Sequence, residues 1–240
     1  MKPVRDLVYW YLKKKQLAAV PAGQLPTFAA GLERLLKRNV KLGSVIDVGA
    51  SDGRWSAQLL PYQPKARYLC IEALSAHEPA LRNFVATNCQ VDYVICAAGD
   101  RQGQIHFRES GLLGGWVSES ARSANCVLVP VNTIDALAEA RRLPPPFLIK
   151  LDTHGYELPI LAGAARTLQQ TEVLIVEVYN FPGSAPAVSF YEFCRLMAEK
   201  GFRCIDLLDP LYRPRDEALW QMDLVFLRES RPEFQYNEFD

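Results

Sequence analysis

Beyond roughly the first forty positions, short apolar runs alternate with stretches in which apolar residues recur every three or four places. Apolar runs of four to eight residues bounded by turn formers predict buried strands, and the wider spacing predicts amphipathic helices. Strands are expected at 44–48, 67–72, 93–97, 147–152, 173–178, 202–207 and 222–227, with helices at 53–60, 80–87, 157–168 and 190–200. Strand and helix in alternation make βαβ units around a mostly parallel sheet with helices on both faces.

Two sections depart from this rhythm. From Gln104 to Val131, "QIHFRE" and "VLVPV" flank a glycine-rich loop. The pattern predicts a hairpin inserted between the third and fourth parallel strands. Pro130, which has no donor, assigns the second run to an edge. Further on, "LDPLYRPRDEALWQ" joins the last two strands without a helical pattern. They are expected as an antiparallel pair at one sheet edge, because a parallel pair needs a longer crossover. The expected fold is therefore a Rossmann-like α/β domain over 43–240, a seven-stranded mostly parallel sheet with an antiparallel edge strand, preceded by a helical extension at 1–42.

That extension begins "MKPVRDLVYWYLKKKQLAAV", an apolar run interrupted by Arg5 and Asp6 and closed by Lys13, Lys14 and Lys15. It is too short for a signal core or a membrane span and reads as an amphipathic surface helix, packed on its own domain, on a membrane surface or in a homodimer. Charge narrows the partners: 27 Lys and Arg against 27 Asp and Glu leave a formal net charge of zero, so nothing draws the whole molecule to nucleic acid. The six cysteines show no C-x-x-C or His-paired spacing and sit mostly in apolar runs, which suits a reducing cytoplasm.

The candidate chemistry gathers where the strands end. In "VIDVGASDGRW", Asp47, Gly49 and Gly53 frame a tight turn from strand to helix, with Ser51 between the glycines. Ser51 rules out G-x-G-x-x-G, and the spacing is not that of a phosphate-cradling P-loop. The second strand ends at Glu72, where doubly wound sheets place an acid for ribose hydroxyls. Turn and acid together predict a nucleotide-like cofactor site. Ala97 and Ala98, ending the third strand, are small enough for an adenine ring to lie against the backbone.

The fourth strand ends in "FLIKLDTHGYELPIL". Alternation puts Lys150 and Asp152 on one face, with Asp152 beside the topological switch point where open α/β sheets bind ligands. His154 lies in the turn. Glu157 opens the next helix, where the macrodipole stabilises a carboxylate. Glu177 and Asn180 end the following strand in "VEVYN", and Trp116 lies in the loop "ESGLLGGWVSES", a flat side chain suited to stacking on an acceptor ring. "FPGSAP", just after, is a further candidate wall.

"VIDVGASDGRWS", "CIEA", "NTIDAL", "FLIKLDTHGYELPILAGAARTL", "VLIVEV" and "LWQMDLVFLR" resemble, in order, the blocks of FkbM-type methyltransferases. The resemblance implies a class I methyltransferase fold and S-adenosyl-L-methionine-dependent methylation, typically of a hydroxyl on a sugar, glycan or natural product. It matches Asp47, Gly49 and Gly53 to the cofactor turn, Glu72 to the ribose acid, and Asp152, Gly155 and Glu157 to the second block. His154 departs from it, because that family often carries Gln or Glu there.

Methyl transfer to an alcohol needs a base, or a cation that lowers the alcohol's pKa. Two versions stay open: His154 or Asp152 takes the proton, or Asp152, Glu177 and Asn180 hold Mg²⁺. Trp116, Glu157 and Asn180 are expected on the acceptor side. The competing readings are an NAD(P)-dependent oxidoreductase on a related sheet and a non-catalytic binding protein with a methyltransferase fold.

Overall fold

The computed structural model describes residues 22–109, 115–117, 126–181 and 186–239. The basic, aromatic stretch at the N-terminus lies outside them. The described part of the extension is a helix, α1 (Phe28–Lys37), capped by Thr27, whose hydroxyl accepts from the Ala30 amide. Its buried Leu32 and Leu35 join the core of the main domain. Arg34 forks onto Asp206 of the sheet, so this helix packs on its own chain.

The main sheet is built from β1 (Ser44–Val48), β2 (Arg67–Glu72), β3 (Val91–Ile95), β8 (Phe147–Leu151), β9 (Thr171–Tyr179), β10 (Phe202–Tyr212) and β11 (Leu219–Arg228), in the order β10-β11-β9-β8-β1-β2-β3. The five strands β9, β8, β1, β2 and β3 are parallel. The last two form the expected antiparallel pair at one edge, with β11 inserted between β9 and β10 and antiparallel to both. β1 and β8 are buried at all five positions each, which is why they read as unbroken apolar runs.

Helices cover both faces. On one side α1, α2 (Arg54–Leu59) and α3 (Glu78–Thr87) bury Leu35, Trp55 and Leu81. On the other, α4 (Ile134–Ala140), α5 (Glu157–Ala162), α6 (Ala165–Gln169) and α7 (Phe190–Glu199) bury Ile134, Ile160, Leu168 and Phe193. The pattern did not predict α4, whose cap is Thr133. The single helix expected at 157–168 is instead two, broken at Gly163. A Cβ there would lie 2.0 Å from the Gly99 carbonyl oxygen. The Gly163 carbonyl leaves the helical ladder to accept from the Asp135 amide at 3.0 Å.

The third strand is also corrected. It stops at Ile95, and Ala97–Ala98 form a separate strand, β4, in a second sheet with β5 (Gly103–Glu109), β6 (Gly115–Val117) and β7 (Cys126–Asn132). The insertion is therefore more than a hairpin: its order is β4-β7-β5-β6. β7, expected at an edge because of Pro130, is an inner strand. Its pairing with β4 begins at Val131, so at Pro130 itself it has a neighbour on one side only.

Candidate active site at the strand ends

The C-terminal ends of β1, β2, β8 and β9 surround a cleft of about 540 Å³, within the range usual for small-ligand sites. Gly49, Ser51, Glu72, Ala97, Ala98, Asp152, His154 and Glu177, all singled out in the sequence, line it. Asp47, Gly53, Glu157 and Asn180 do not.

The turn after β1 explains its glycine. Gly49 has φ of +77°, and a Cβ there would lie 2.0 Å from the Asp152 carbonyl oxygen. The Gly49 and Ala50 amides both donate to the Ile71 carbonyl of β2, at 2.9 and 3.1 Å. Ser51, at φ +51°, then donates its amide to Glu72 Oε2 at 2.7 Å, while the Leu74 amide donates to Oε1 at 2.8 Å. Glu72 thus straps two turns together with one bond per oxygen. A carboxylate oxygen has two lone pairs, so each retains one acceptor position.

Asp47 lies beneath this turn, fully buried, beside Lys150 in the register of β1 and β8. Ser56 donates its hydroxyl to Asp47 Oδ2 at 2.7 Å, whereas Oδ1 has no hydrogen-bond partner and stands 3.9 Å from Lys150 Nζ. Burial pushes the Asp47 carboxyl above its ordinary range despite the lysine. Lys150 is itself 3% exposed and donates to Asp152 Oδ2 at 2.7 Å. Burial works to lower its pKa, but Asp47 and Asp152 outweigh that and raise it. Asp152 is held below its ordinary value: burial works to raise it, but the Lys150 ammonium together with His154 and Glu177 outweighs that. Lys150 is therefore a charged post between the β1 and β8 turns.

On the other side of Asp152 stand His154 and Glu177. His154 occupies a left-handed backbone position, φ +52°, which costs a non-glycine residue energy. His154 Nδ1 is 3.0 Å from Glu177 Oε2 and 2.7 Å from the Tyr179 hydroxyl, and that hydroxyl donates to Glu177 Oε2 at 2.6 Å. Gln221 donates its amide to Glu177 Oε1. With the tyrosine proton directed at Glu177, both oxygens facing Nδ1 are acceptors. Nδ1 then carries a proton, and in the neutral ring Nε2 keeps a lone pair. Among the described residues Nε2 has no hydrogen-bond partner. The bond to Glu177 raises the His154 pKa, over the opposing effect of burial.

Asp152, His154 and Glu177 each offer one ligand atom, all within 4.8 Å of one another. Asn180 is not among them: its side chain donates to the Leu219 carbonyl at 3.2 Å. Glu157 turns inward, accepting from the Gly155 amide at 2.8 Å and the Thr153 hydroxyl at 3.1 Å, so it braces the His154 turn from behind. Trp116 sits in β6 opposite Arg108, and its side chain lies outside what is described. The neighbouring Val117 and its cross-strand partner Phe107 do line the cleft.

Tyr179 and Gln221 were not anticipated. Tyr179 follows Glu177 by two, so strand alternation places both on one face, a signal present in "VEVYN". Gln221 comes from the antiparallel β11, and nothing local marks it.

A doubly wound sheet whose switch-point cleft carries this turn, this acid and no phosphate cradle defines a Rossmann-like methyltransferase fold. Residues 47–204 match the Methyltransferase FkbM domain, and the chain belongs to that family. Hexuronic acid methyltransferase AglP of Haloferax volcanii is 27% identical over 77 residues, about a third of each chain (32% of both). The crystal structure of Methyltransferase FkbM from Methylobacillus flagellatus is 18% identical with a TM-score of 0.47, over 76% of this chain and 43% of that one. A Streptococcus pneumoniae structure containing S-adenosyl-L-methionine, provisionally assigned as a tRNA methyltransferase, is 14% identical with a TM-score of 0.48, over 82% of this chain and 72% of that one.

Proposed function

We propose that this chain methylates a hydroxyl oxygen of a sugar, glycan or natural-product acceptor, using S-adenosyl-L-methionine, with His154 as the base. The observation that carries this reading is the hydrogen-bond arrangement that leaves His154 Nε2 as an acceptor at the wall of the cleft.

The residues present fit the cofactor. Glu72 retains acceptor positions for two ribose hydroxyls, Gly49 leaves the turn without a side chain at its closest approach, and Ala97 and Ala98 keep the cleft wall low for a flat base. When bound, S-adenosyl-L-methionine supplies an electrophilic methyl group on a positively charged sulfur. The remaining work falls to the protein. An alcohol is a weak nucleophile while protonated, and His154 Nε2 would accept its proton as the new carbon–oxygen bond forms and the methyl carbon's bond to sulfur breaks, the sulfur leaving as a neutral thioether. Glu177 then stabilises the imidazolium through the Nδ1 bond, as the raised His154 pKa indicates. Orientation contributes as much, since holding the reacting atoms at about 3 to 3.5 Å with aligned orbitals replaces a bimolecular encounter.

A second reading rests on the three ligand atoms within 4.8 Å: a divalent cation held by Asp152, His154 and Glu177 in place of a base. Two contacts favour the base. Asp152 is already paired with Lys150, and His154 with Glu177. Family membership also counts against the dinucleotide reading of the β1 turn. Calorimetric titration with S-adenosylhomocysteine and with NAD tests the proposal: binding of the first alone supports it, and binding of NAD alone sinks it. Full turnover after treatment with a chelator removes the cation version.

A further inference from the structure

We infer that the body of the acceptor is bound on a stack formed by Phe181, Trp220 and Arg213 beside the reacting centre, and that this stack takes a pyranose ring by its C–H face. The inference rests on the methyl-transfer reading above and adds to it the place and manner of acceptor binding.

The location follows from the two ends of the cleft. At one end the inserted sheet closes over the base side of the cofactor turn, because Phe107 packs with Ala73, Ala97 and Val131. At the other end, an uninterrupted series of rings leads away from the base. Tyr179 meets His154 edge-on at 6.3 Å between centroids and meets Trp220 edge-on at 6.1 Å. Trp220 and Phe181 stack at 5.9 Å, 20° from parallel. The Arg213 guanidinium lies 4.2 Å from the Phe181 ring centre and 5.9 Å from that of Trp220. The backbone holds this series in place: Asn180 donates its amide to the Trp220 carbonyl at 2.9 Å, joining the end of β9 to the start of β11.

The stack is not core packing. Phe181 is 37% exposed, and on the β10–β11 hairpin that carries Arg213 and Trp220, Leu211 and Tyr212 are 52% and 56% exposed. A partly exposed ring at the end of a ring series that starts at His154 is suited to a ligand that is itself flat and apolar on one side. The surrounding polar groups choose among such ligands. Arg213 is held in plane by Asp216, with bonds of 2.9 and 2.6 Å, so its charge is matched and its plane is presented. Arg213 and Asp216 thus put planar hydrogen-bonding groups at the edge of the apolar stack. A pyranose needs both, a face of C–H bonds to stack and hydroxyls at its edge to bond. A flat aromatic acceptor would have no use for the rim.

Saturation-transfer NMR on the full chain with saturating S-adenosylhomocysteine tests this, using methyl β-glucopyranoside, methyl β-galactopyranoside, methyl β-glucuronoside and catechol as probes. The expected result is saturation of at least one pyranoside, strongest on the C–H protons of one ring face. That signal should fall about tenfold in Trp220→Ala and in Phe181→Ala, while S-adenosylhomocysteine keeps its own. Phe181 lies outside the regular strands, so its variant serves if Trp220→Ala does not fold. Binding of S-adenosylhomocysteine with no pyranoside signal, with catechol preferred, or with signals unchanged in the folded variants overturns the stack as the acceptor site. Absence of S-adenosylhomocysteine binding to the unaltered chain overturns the methyl-transfer reading first, and the stack with it.

Discussion

Tyr179 donates its hydroxyl to Glu177 Oε2 at 2.6 Å, and its own oxygen thereby joins that carboxylate as a second acceptor facing His154 Nδ1. Without the tyrosine, Glu177 would still hold the ring at 3.0 Å. The second acceptor beside Nδ1 would be gone.

The first prediction concerns this trio. His154→Asn should lower the rate of methyl transfer about 10²- to 10⁴-fold, the usual contribution of a positioned base, with S-adenosylhomocysteine affinity unchanged. Tyr179→Phe should lower it less, about tenfold. Single-turnover kinetics with labelled cofactor would show both, and an unaltered rate in His154→Asn would remove His154 as the base.

The pH profile carries the second prediction. The His154 pKa is raised above its ordinary value of 6.5, chiefly by its bond to Glu177, and only the neutral ring accepts a proton. Activity should therefore rise with pH, with its midpoint above 6.5. In Glu177→Gln that midpoint should move down, because the group that raises it has lost its charge. The stability contribution runs the other way: a raised histidine stabilises the fold below its unfolded pKa, and that contribution is lost as pH rises through the folded value. Urea midpoints measured across the same range would show it.

Lys150 gives the third. Lys150→Met leaves Asp47 and Asp152 without their buried cation, and removal of one partner from such a pair costs about 3–5 kcal/mol. Denaturant unfolding should show the loss, and the double variant Lys150→Met/Asp47→Asn should recover part of it, since the neutral amide no longer needs the ammonium.

The fourth concerns the β1 turn. Gly49→Ala would place a methyl group 2.0 Å from the Asp152 carbonyl oxygen, in a left-handed backbone position. Stability should fall by about 1–3 kcal/mol from the backbone strain alone. S-adenosylhomocysteine affinity should fall with it, as calorimetry would report. An alanine variant that folds and binds like the unaltered chain would show that the turn is not the cofactor's seat.

Much of this architecture was legible in the sequence. β1, β2 and β8 are buried on both faces, so their runs are continuous and their ends easy to mark. The third strand was misplaced because "VICAA" stays apolar while it passes from one sheet into another, and periodicity does not say which sheet a residue joins. Gly163 was visible within the expected helix, but its contact with Gly99 is made across 64 positions of chain and leaves no local mark. Asp152 and Glu177 could be paired in advance because parallel neighbours end side by side. Glu157 and Asn180 could not be set apart from them, since whether a strand-end side chain turns to the cleft or to its own loop depends on backbone angles that spacing does not reveal.

The contact between Gly49 and the Asp152 carbonyl has one more consequence. The β1 turn and the turn that carries His154 touch where no side chain fits between them, so a shift of one presses on the other. If the proposed seats are right, arrival of the first substrate should be felt mechanically at the seat of the second. For a kineticist, that predicts dissociation constants that depend on each other, and an order of addition that can be read from product inhibition.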